Sequence, residues 1–143
     1  ILYLSKINKV NVIPSRRTSL NLITKLKKIN LKNIKTFEDL FNPKKYGDLL
    51  SEANFQIVTW DSISMISEAI SSESSTYIYP FEENKCPMRY KFFYKSLIDK
   101  NLARFYTRDL TEFSISLTDY NKELKSKILN KIKSHLWFNS NVS

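Results

Sequence analysis

The sequence predicts an α/β chain, a parallel sheet of about five strands with helices on both of its faces. Three observations carry that reading. Short apolar runs rich in β-branched residues alternate with stretches of helical period, the connections between them are short, and no internal repeat or low-complexity linker breaks the alternation.

The elements follow in order. Lys9 to Pro14 reads as a short strand ended by proline, and Ser15-Arg16-Arg17-Thr18 comes directly after it. Leu20, Ile23, Leu26 and Ile29 then recur at helical spacing, with Thr18 or Ser19 placed to cap the helix. Ile34 to Phe37 is a second strand. Asn42-Pro43 opens a helix that runs to Ala53 with Tyr46, Leu49, Leu50 and Ala53 on one side; Pro43 suits the first turn, where no amide donor is needed. Phe55 to Thr59 is the clearest strand, and Trp60-Asp61 turns it into a helix from about Ser62 to Ile70. Thr76 to Tyr79 is a further strand, stopped by Pro80. A loop with Glu82, Glu83 and Asn84 leads to a helix from about Pro87 to Lys100, and Leu102 to Tyr106 forms the last strand. The final helix, about Tyr120 to Phe138, carries Leu124, Ile128, Ile132 and Leu136 at helical spacing, and a short flexible tail is expected over 139–143. Val12, Ile57, Val58, Ile78 and Phe105 are the residues expected to be buried in the sheet.

Composition bounds what such a chain can do. The 143 residues suit one domain, or one lobe of a larger enzyme, and the expected organisation is a single lobe over 1–143. With 42% hydrophobic and 13% aromatic residues the chain can bury a core, which excludes wholesale disorder. Gly47 is the only glycine, so neither a GxxxxGK nor a GxGxxG phosphate loop can be present. Cys86 is the only cysteine, which excludes a disulfide framework and a thiolate zinc site and fits a reducing compartment. The only histidine, His135, sits beside Leu136 and Trp137 in the terminal amphipathic helix, where a packing or surface role is expected. No metal and no cofactor are expected. No apolar run has the length of a membrane span and no signal peptide opens the chain, so the expected location is cytoplasmic or peripheral to a membrane. The first residue is Ile rather than Met, as in the tail of a longer product.

The net charge is +9, and it is unevenly placed. Residues 1–45 hold eleven basic side chains against Glu38 and Asp39, whereas 46–143 hold twelve of each sign. The excess lies in the first third, where it suits either a phosphate-bearing partner or a plain solvated surface rich in lysine. Nucleic acid is the weaker candidate, because Tyr3, Phe37 and Phe41 are the only aromatics among those basic residues.

In open parallel sheets, ligands bind beyond the carboxyl ends of the strands, where helix N-termini present free amides. Two such ends carry unusual polar residues. Ser15, Arg16, Arg17 and Thr18 follow the first strand; the two guanidiniums could clamp a diphosphate or carboxylate, or be a surface pair tethered to nearby carboxylates and carbonyls. Asp61, Ser62, Ser64, Met65 and Glu68 follow the clearest strand. Asp61 is placed to cap the helix, and Asp61, Ser64 and Glu68 recur on one face while Met65, Ile66, Ala69 and Ile70 make the packing face. Glu68 is either an acceptor for ribose hydroxyls or a solvated helix acid.

Ser15-Arg16-Arg17-Thr18, Asn42-Pro43 and the run from Val58 through Asp61-Ser62-Ile63-Ser64-Met65-Ile66-Ser67-Glu68-Ala69 come in the order and spacing of a known family. The chain resembles the ELM (elongated-mitochondria) mitochondrial-fission family over about residues 10–136, with looser agreement at Tyr77-Ile78-Tyr79, Arg89 to Leu97 and Arg104-Phe105. The resemblance implies a Rossmann-like lobe, most of the C-terminal half of a GT-B glycosyltransferase, with a nucleoside-diphosphate sugar as substrate. The nucleotide-sugar-binding residues it implies are Ser15, Arg16, Arg17, Thr18, Asp61, Ser62, Ser64, Met65 and Glu68. The acceptor lobe and the catalytic base would lie outside this chain. The plant fission members of the family imply the alternative, a non-catalytic scaffold that recruits protein partners at a membrane surface. Two departures stand out. Ser72-Glu73-Ser74-Ser75 replaces a Thr-Gly-Lys-Pro-like turn, and Trp60 stands where a smaller or acidic residue is common, with bulk enough to narrow a cleft.

Overall fold

Strand and helix alternate from Val10 to Phe105 among the described residues. The computed structural model describes residues 1–15, 18–29, 31–37, 43–81, 86–119, 121, 122 and 126. It divides into two units, Ile1–Glu52 and Ala53–Ser143. Among the described residues five strands are paired in parallel, hydrogen-bonded as a two-stranded and a three-stranded set where the sequence predicted one sheet of about five.

The first unit opens with a 3-10 turn at Leu4–Lys6 and continues through β1 (Val10–Val12), α1 (Leu20–Lys28), β2 (Ile34–Thr36) and α2 (Pro43–Ser51). β1 and β2 pair with Val10 opposite Ile34 and Val12 opposite Thr36. Ser19 is the α1 cap, its hydroxyl accepting the Leu22 amide at 3.3 Å. Of the predicted α1 stripe, Leu26 is buried and Ile23 and Ile29 half-buried, whereas Leu20, at the first position of the helix, is 81% exposed.

The second unit is built on β3 (Phe55–Thr59), β4 (Ser75–Tyr79) and β5 (Arg104–Phe105), with α3 (Ile63–Ser71) and α4 (Met88–Asp99) as the connections. β4 is central, pairing residue by residue from Phe55 opposite Ser75 to Thr59 opposite Tyr79, and with β5 at Ile78 opposite Phe105. Helix α3 packs on β3 and β4, and α4 on β5. Val58 and Ile78 from the strands meet Ile66, Ala69 and Ile70 of α3 and Tyr94 and Leu97 of α4 in one apolar cluster. Ser75 and Tyr77 alternate with Thr76 and Ile78, so they point to the other face of β4. There they hold an extended segment. The Ser75 hydroxyl donates to the Phe113 carbonyl and accepts its amide, each at 2.9 Å. The Tyr77 hydroxyl donates to the Thr111 carbonyl at 2.7 Å and accepts its amide at 2.9 Å.

Of the expected sheet core, Val58 and Ile78 are buried and Val12 and Ile57 half-buried. Phe105 corrects the prediction: it is 42% exposed, on a two-residue edge strand. The end of α4 explains it. Asn101 takes a left-handed backbone (φ 54), its amide bonds to the Ile98 carbonyl, and the Leu102 amide returns to the Leu97 carbonyl. That cap folds Leu102 and Ala103 into the core in place of Phe105.

The end of α3 uses the same device with a less suitable residue. Glu73 has φ 59 and its amide bonds to the Ile70 carbonyl, so a left-handed turn is held by a residue with a Cβ, where glycine would carry no steric cost. The predicted loop residues Glu82, Glu83 and Asn84, most of the final helix, His135 and the 139–143 tail lie outside the described residues; 117–119, 121, 122 and 126 are helical.

Candidate functional site

The carboxyl end of β3 passes through Trp60 and Asp61 into α3. Two backbone bonds and one side chain set that turn. The Trp60 amide donates to the Tyr79 carbonyl at 3.2 Å, which ties the turn to the end of β4, and the Ser62 amide reaches the Thr59 carbonyl at 3.4 Å. The Tyr94 hydroxyl, buried inside the unit, donates to the Trp60 carbonyl. Trp60 is itself buried in the apolar cluster, with Phe81 6.4 Å away, so its bulk is spent on the core rather than on narrowing a cleft.

Helix α3 therefore begins one residue later than the sequence predicted. Its N-cap is Ser62, not Asp61; Asp61 belongs to the preceding turn because the Thr59–Ser62 bond closes the chain there first. The Ser62 hydroxyl makes no capping bond and instead lies 3.4 Å from the Ser64 hydroxyl. The first intrahelical bond runs from the Ile66 amide to the Ser62 carbonyl, leaving the amides of Ile63, Ser64 and Met65 ahead of the ladder. These amides carry the positive end of the helix dipole. Ser64 and Glu68, one turn apart, are exposed; Asp61 and Met65 are half-buried; Ser62 is buried. Ile66, Ala69 and Ile70 form the buried face, with Met65 packed at its margin, as predicted.

Ser15 and Thr18 close on each other. The Ser15 amide donates to the Thr18 hydroxyl at 2.8 Å, and the Thr18 amide donates to the Ser15 carbonyl at 3.0 Å. Arg16 and Arg17, between them in sequence, lie outside the described residues. The two predicted clusters belong to different units, and each is a local assembly.

Two hollows lie elsewhere. One, of about 450 Å³, sits at the amino-terminal ends of β3 and β4 among Ala53, Asn54, Ser74, Ser75, Glu112 and Phe113. The other, of about 470 Å³, lies beside the 3-10 turn and the start of β2, among Leu2, Ser5, Lys6, Leu31, Lys32 and Asn33. The first is at the opposite end of β3 and β4 from the amides of α3. Among the described residues, no three His, Cys, Asp or Glu side chains gather as metal ligands, and no helix is long and apolar enough to cross a membrane.

Sequence reasoning missed the aromatic residues around this edge. Tyr79 ends β4 43% exposed and Phe81 follows at 36%, and the ring of Tyr106 stands 6.0 Å from that of Tyr79. The signal was present as Tyr79-Pro80-Phe81 at a strand end, but residue type alone does not tell an exposed ring from a core one.

Comparison with known proteins bears on the same residues. The family profile described as Mitochondrial fission ELM1 matches residues 2–132, which takes in both clusters and every described strand. The chain belongs to this mitochondrial fission ELM1 family. It is 38% identical over 73 residues to an uncharacterized protein, RP120, of Rickettsia prowazekii (strain Madrid E), a match over 51% of this chain and 20% of that protein. The chain thus spans about a fifth of the length of the curated relative it matches. No solved structure matches it.

Proposed function

We propose that this ELM1-family chain is a nucleotide-sugar-binding lobe of a GT-B-type, glycosyltransferase-like protein. One observation carries the reading: a helix begins at the carboxyl end of a parallel strand with three amides ahead of its ladder and with Ser64 and Glu68 exposed on its first turns. The positive end of such a helix favours a diphosphate, and Ser64 supplies a hydroxyl donor beside it. Glu68, one turn further on, is placed to accept from ribose hydroxyls. Asp61 and Met65 shape the turn and helix margin from which Ser64 projects, beside the buried Ser62; Ser15, Arg16, Arg17 and Thr18 belong to the first unit and are a separate candidate for a phosphate contact. The general base and the acceptor site are assigned to the acceptor lobe of the whole protein. The lobe works on the cytoplasmic side, without a metal or cofactor of its own.

Calorimetric titration of the wild type and Glu68→Gln with nucleoside diphosphates and their sugars tests the reading. Glu68→Gln keeps the shape and weakens the acceptor bonds, so affinity should fall about five- to thirtyfold, roughly 1–2 kcal/mol, with the fold intact. A wild type that binds no nucleotide overturns the enzyme reading.

A second reading, a non-catalytic scaffold at a membrane surface that recruits a protein partner, draws on the first unit. Leu20 and Ile7 are 81% and 71% exposed there, and Lys25, Lys27 and Lys28 end α1. Exposed apolar side chains beside lysines suit an anionic interface. Co-sedimentation with vesicles containing phosphatidylserine, lost in Leu20→Ser, is the result that supports it.

A further inference from the structure

Helix α4 turns two large apolar side chains outward. Its inner side is already supplied: Tyr94 and Leu97 are buried in the apolar cluster, and Tyr90 and Phe93 stack edge-on against Tyr94, with ring centroids 6.4 and 5.6 Å away. At about 3.6 residues per turn, Phe92 falls on the side away from Tyr94 and Leu97, and Met88 lies one turn before it on the same line. Phe92 is 69% exposed and Met88 66%. A single exposed apolar residue is ordinary, but a Phe and a Met in register at the centre of a solvent face add nothing to the core. Their surroundings are cationic. Arg89 and Lys91, both exposed, flank them, Lys95 follows one turn after Lys91, and before Asp99 the helix carries no acid. Asp99 is itself bonded to Lys95 at 2.9 Å, so the half of the helix that holds Met88 and Phe92 keeps its positive charge.

We propose that the outer face of α4 is a contact surface for an anionic lipid bilayer, with Phe92 and Met88 entering the headgroup layer and Arg89 and Lys91 meeting lipid phosphates. Charge selects the occupant. A second copy of this face, or the chain's own segment 120–138 with five lysines against Glu123, would set cation against cation. An anionic surface complements it. Shape agrees, because the face is the convex side of a helix and neither hollow is lined by an α4 residue. Two projecting side chains bury little against a rigid partner but sink fully into fluid headgroups, while the stems of Arg and Lys reach the phosphates. The inference is independent of the nucleotide reading. It shares a partner class with the scaffold reading but rests on the other unit and on different residues.

The test is co-sedimentation of the full chain with vesicles of phosphatidylcholine containing phosphatidylserine, and with pure phosphatidylcholine, in wild type, Phe92→Ser, Phe92→Trp, Lys91→Gln and Leu20→Ser. The wild type should bind the mixed vesicles and bind the neutral ones about tenfold more weakly or worse. Phe92→Ser should lower partitioning about five- to thirtyfold, and Lys91→Gln about three- to sixfold. Phe92→Trp should stay within about twofold of wild type or exceed it, since an indole suits the interface. Circular dichroism checks that the variants remain folded, as expected at exposed positions. Wild-type binding to Phe92→Ser, an equal loss in Phe92→Trp, or equal binding to neutral vesicles overturns the α4 surface. If Phe92→Ser binds normally and Leu20→Ser does not, the α4 surface fails while the scaffold reading stands. If Phe92→Ser loses binding and Leu20→Ser keeps it, the α4 surface stands without the Leu20 contact. A wild type that ignores the mixed vesicles removes both.

Discussion

The two units use the same alternation of strand and helix with very different amounts of buried surface. In Ala53–Ser143 the central strand is buried along four of its five residues, and two helices converge on it through Ile66, Ala69, Ile70, Tyr94 and Leu97. In Ile1–Glu52 a two-stranded sheet carries half-buried residues, and among the described residues of that unit Leu26, still 5% exposed, is the buried large aliphatic side chain. Two strands alone are marginal in water, whereas three strands under a helical layer are not. The difference teaches where function can be anchored. The α3 turn rests on a packed scaffold that holds its amides in place, while the basic Ser15–Thr18 segment rests on local bonds.

The largest expected effect comes from breaking the scaffold. Ile78→Ala removes a fully buried side chain from the central strand and should cost about 3–4 kcal/mol, read as a fall in the urea midpoint. Leu20→Ala in the first unit should change stability by less than about 0.5 kcal/mol, because Leu20 is 81% exposed. A large loss from Leu20→Ala would show that the first unit is packed through that residue and would erase the contrast. Hydrogen exchange sharpens it further: β4 amides should exchange far more slowly than those of β1.

Tyr77→Phe comes next. Its hydroxyl both donates to and accepts from Thr111, so removing it leaves two backbone groups without their partner and should cost about 1–2 kcal/mol. The smallest effect has the opposite sign. Glu73 holds a left-handed backbone at the end of α3, and Glu73→Gly should raise stability by about 0.5–1 kcal/mol in the same urea assay.

What the sequence made legible follows the same divide between local and distant causes. β3, α3 and β4 were legible because an apolar run and a helical stripe dominate their own segments; β3 kept its bounds, and those of α3 and β4 moved by a residue. The cap of α1 was legible to within a residue, as Thr18 or Ser19, because a hydroxyl ahead of an apolar stripe suits a cap; the structure uses Ser19. The cap of α3 was not. Asp61 and Ser62 are both good cap residues, and the choice is made by the burial of Trp60 and by the Tyr94 hydroxyl on the Trp60 carbonyl, contributed by a distant helix. Phe105 was misplaced for a similar reason, since the turn at Asn101 decides which of Leu102, Ala103 and Phe105 faces inward. The extended segment on Ser75 and Tyr77 has no periodicity at all; side-chain hydroxyls hold it, and a sequence pattern carries no trace of them. Of the candidate site, the packing face of α3 was readable, and the exposed Tyr79 was not.

The most direct test of the central claim, that the start of α3 is the nucleotide site, is an NMR titration of backbone amides with UDP and ADP. The account predicts that the amides of Ile63, Ser64 and Met65 shift most, followed by those around Glu68, while residues at the opposite end of the strands stay still. Shifts confined to Ala53, Asn54, Glu112 and Phe113, which line the hollow at the amino-terminal ends of β3 and β4, would contradict it, as would a spectrum that neither nucleotide changes.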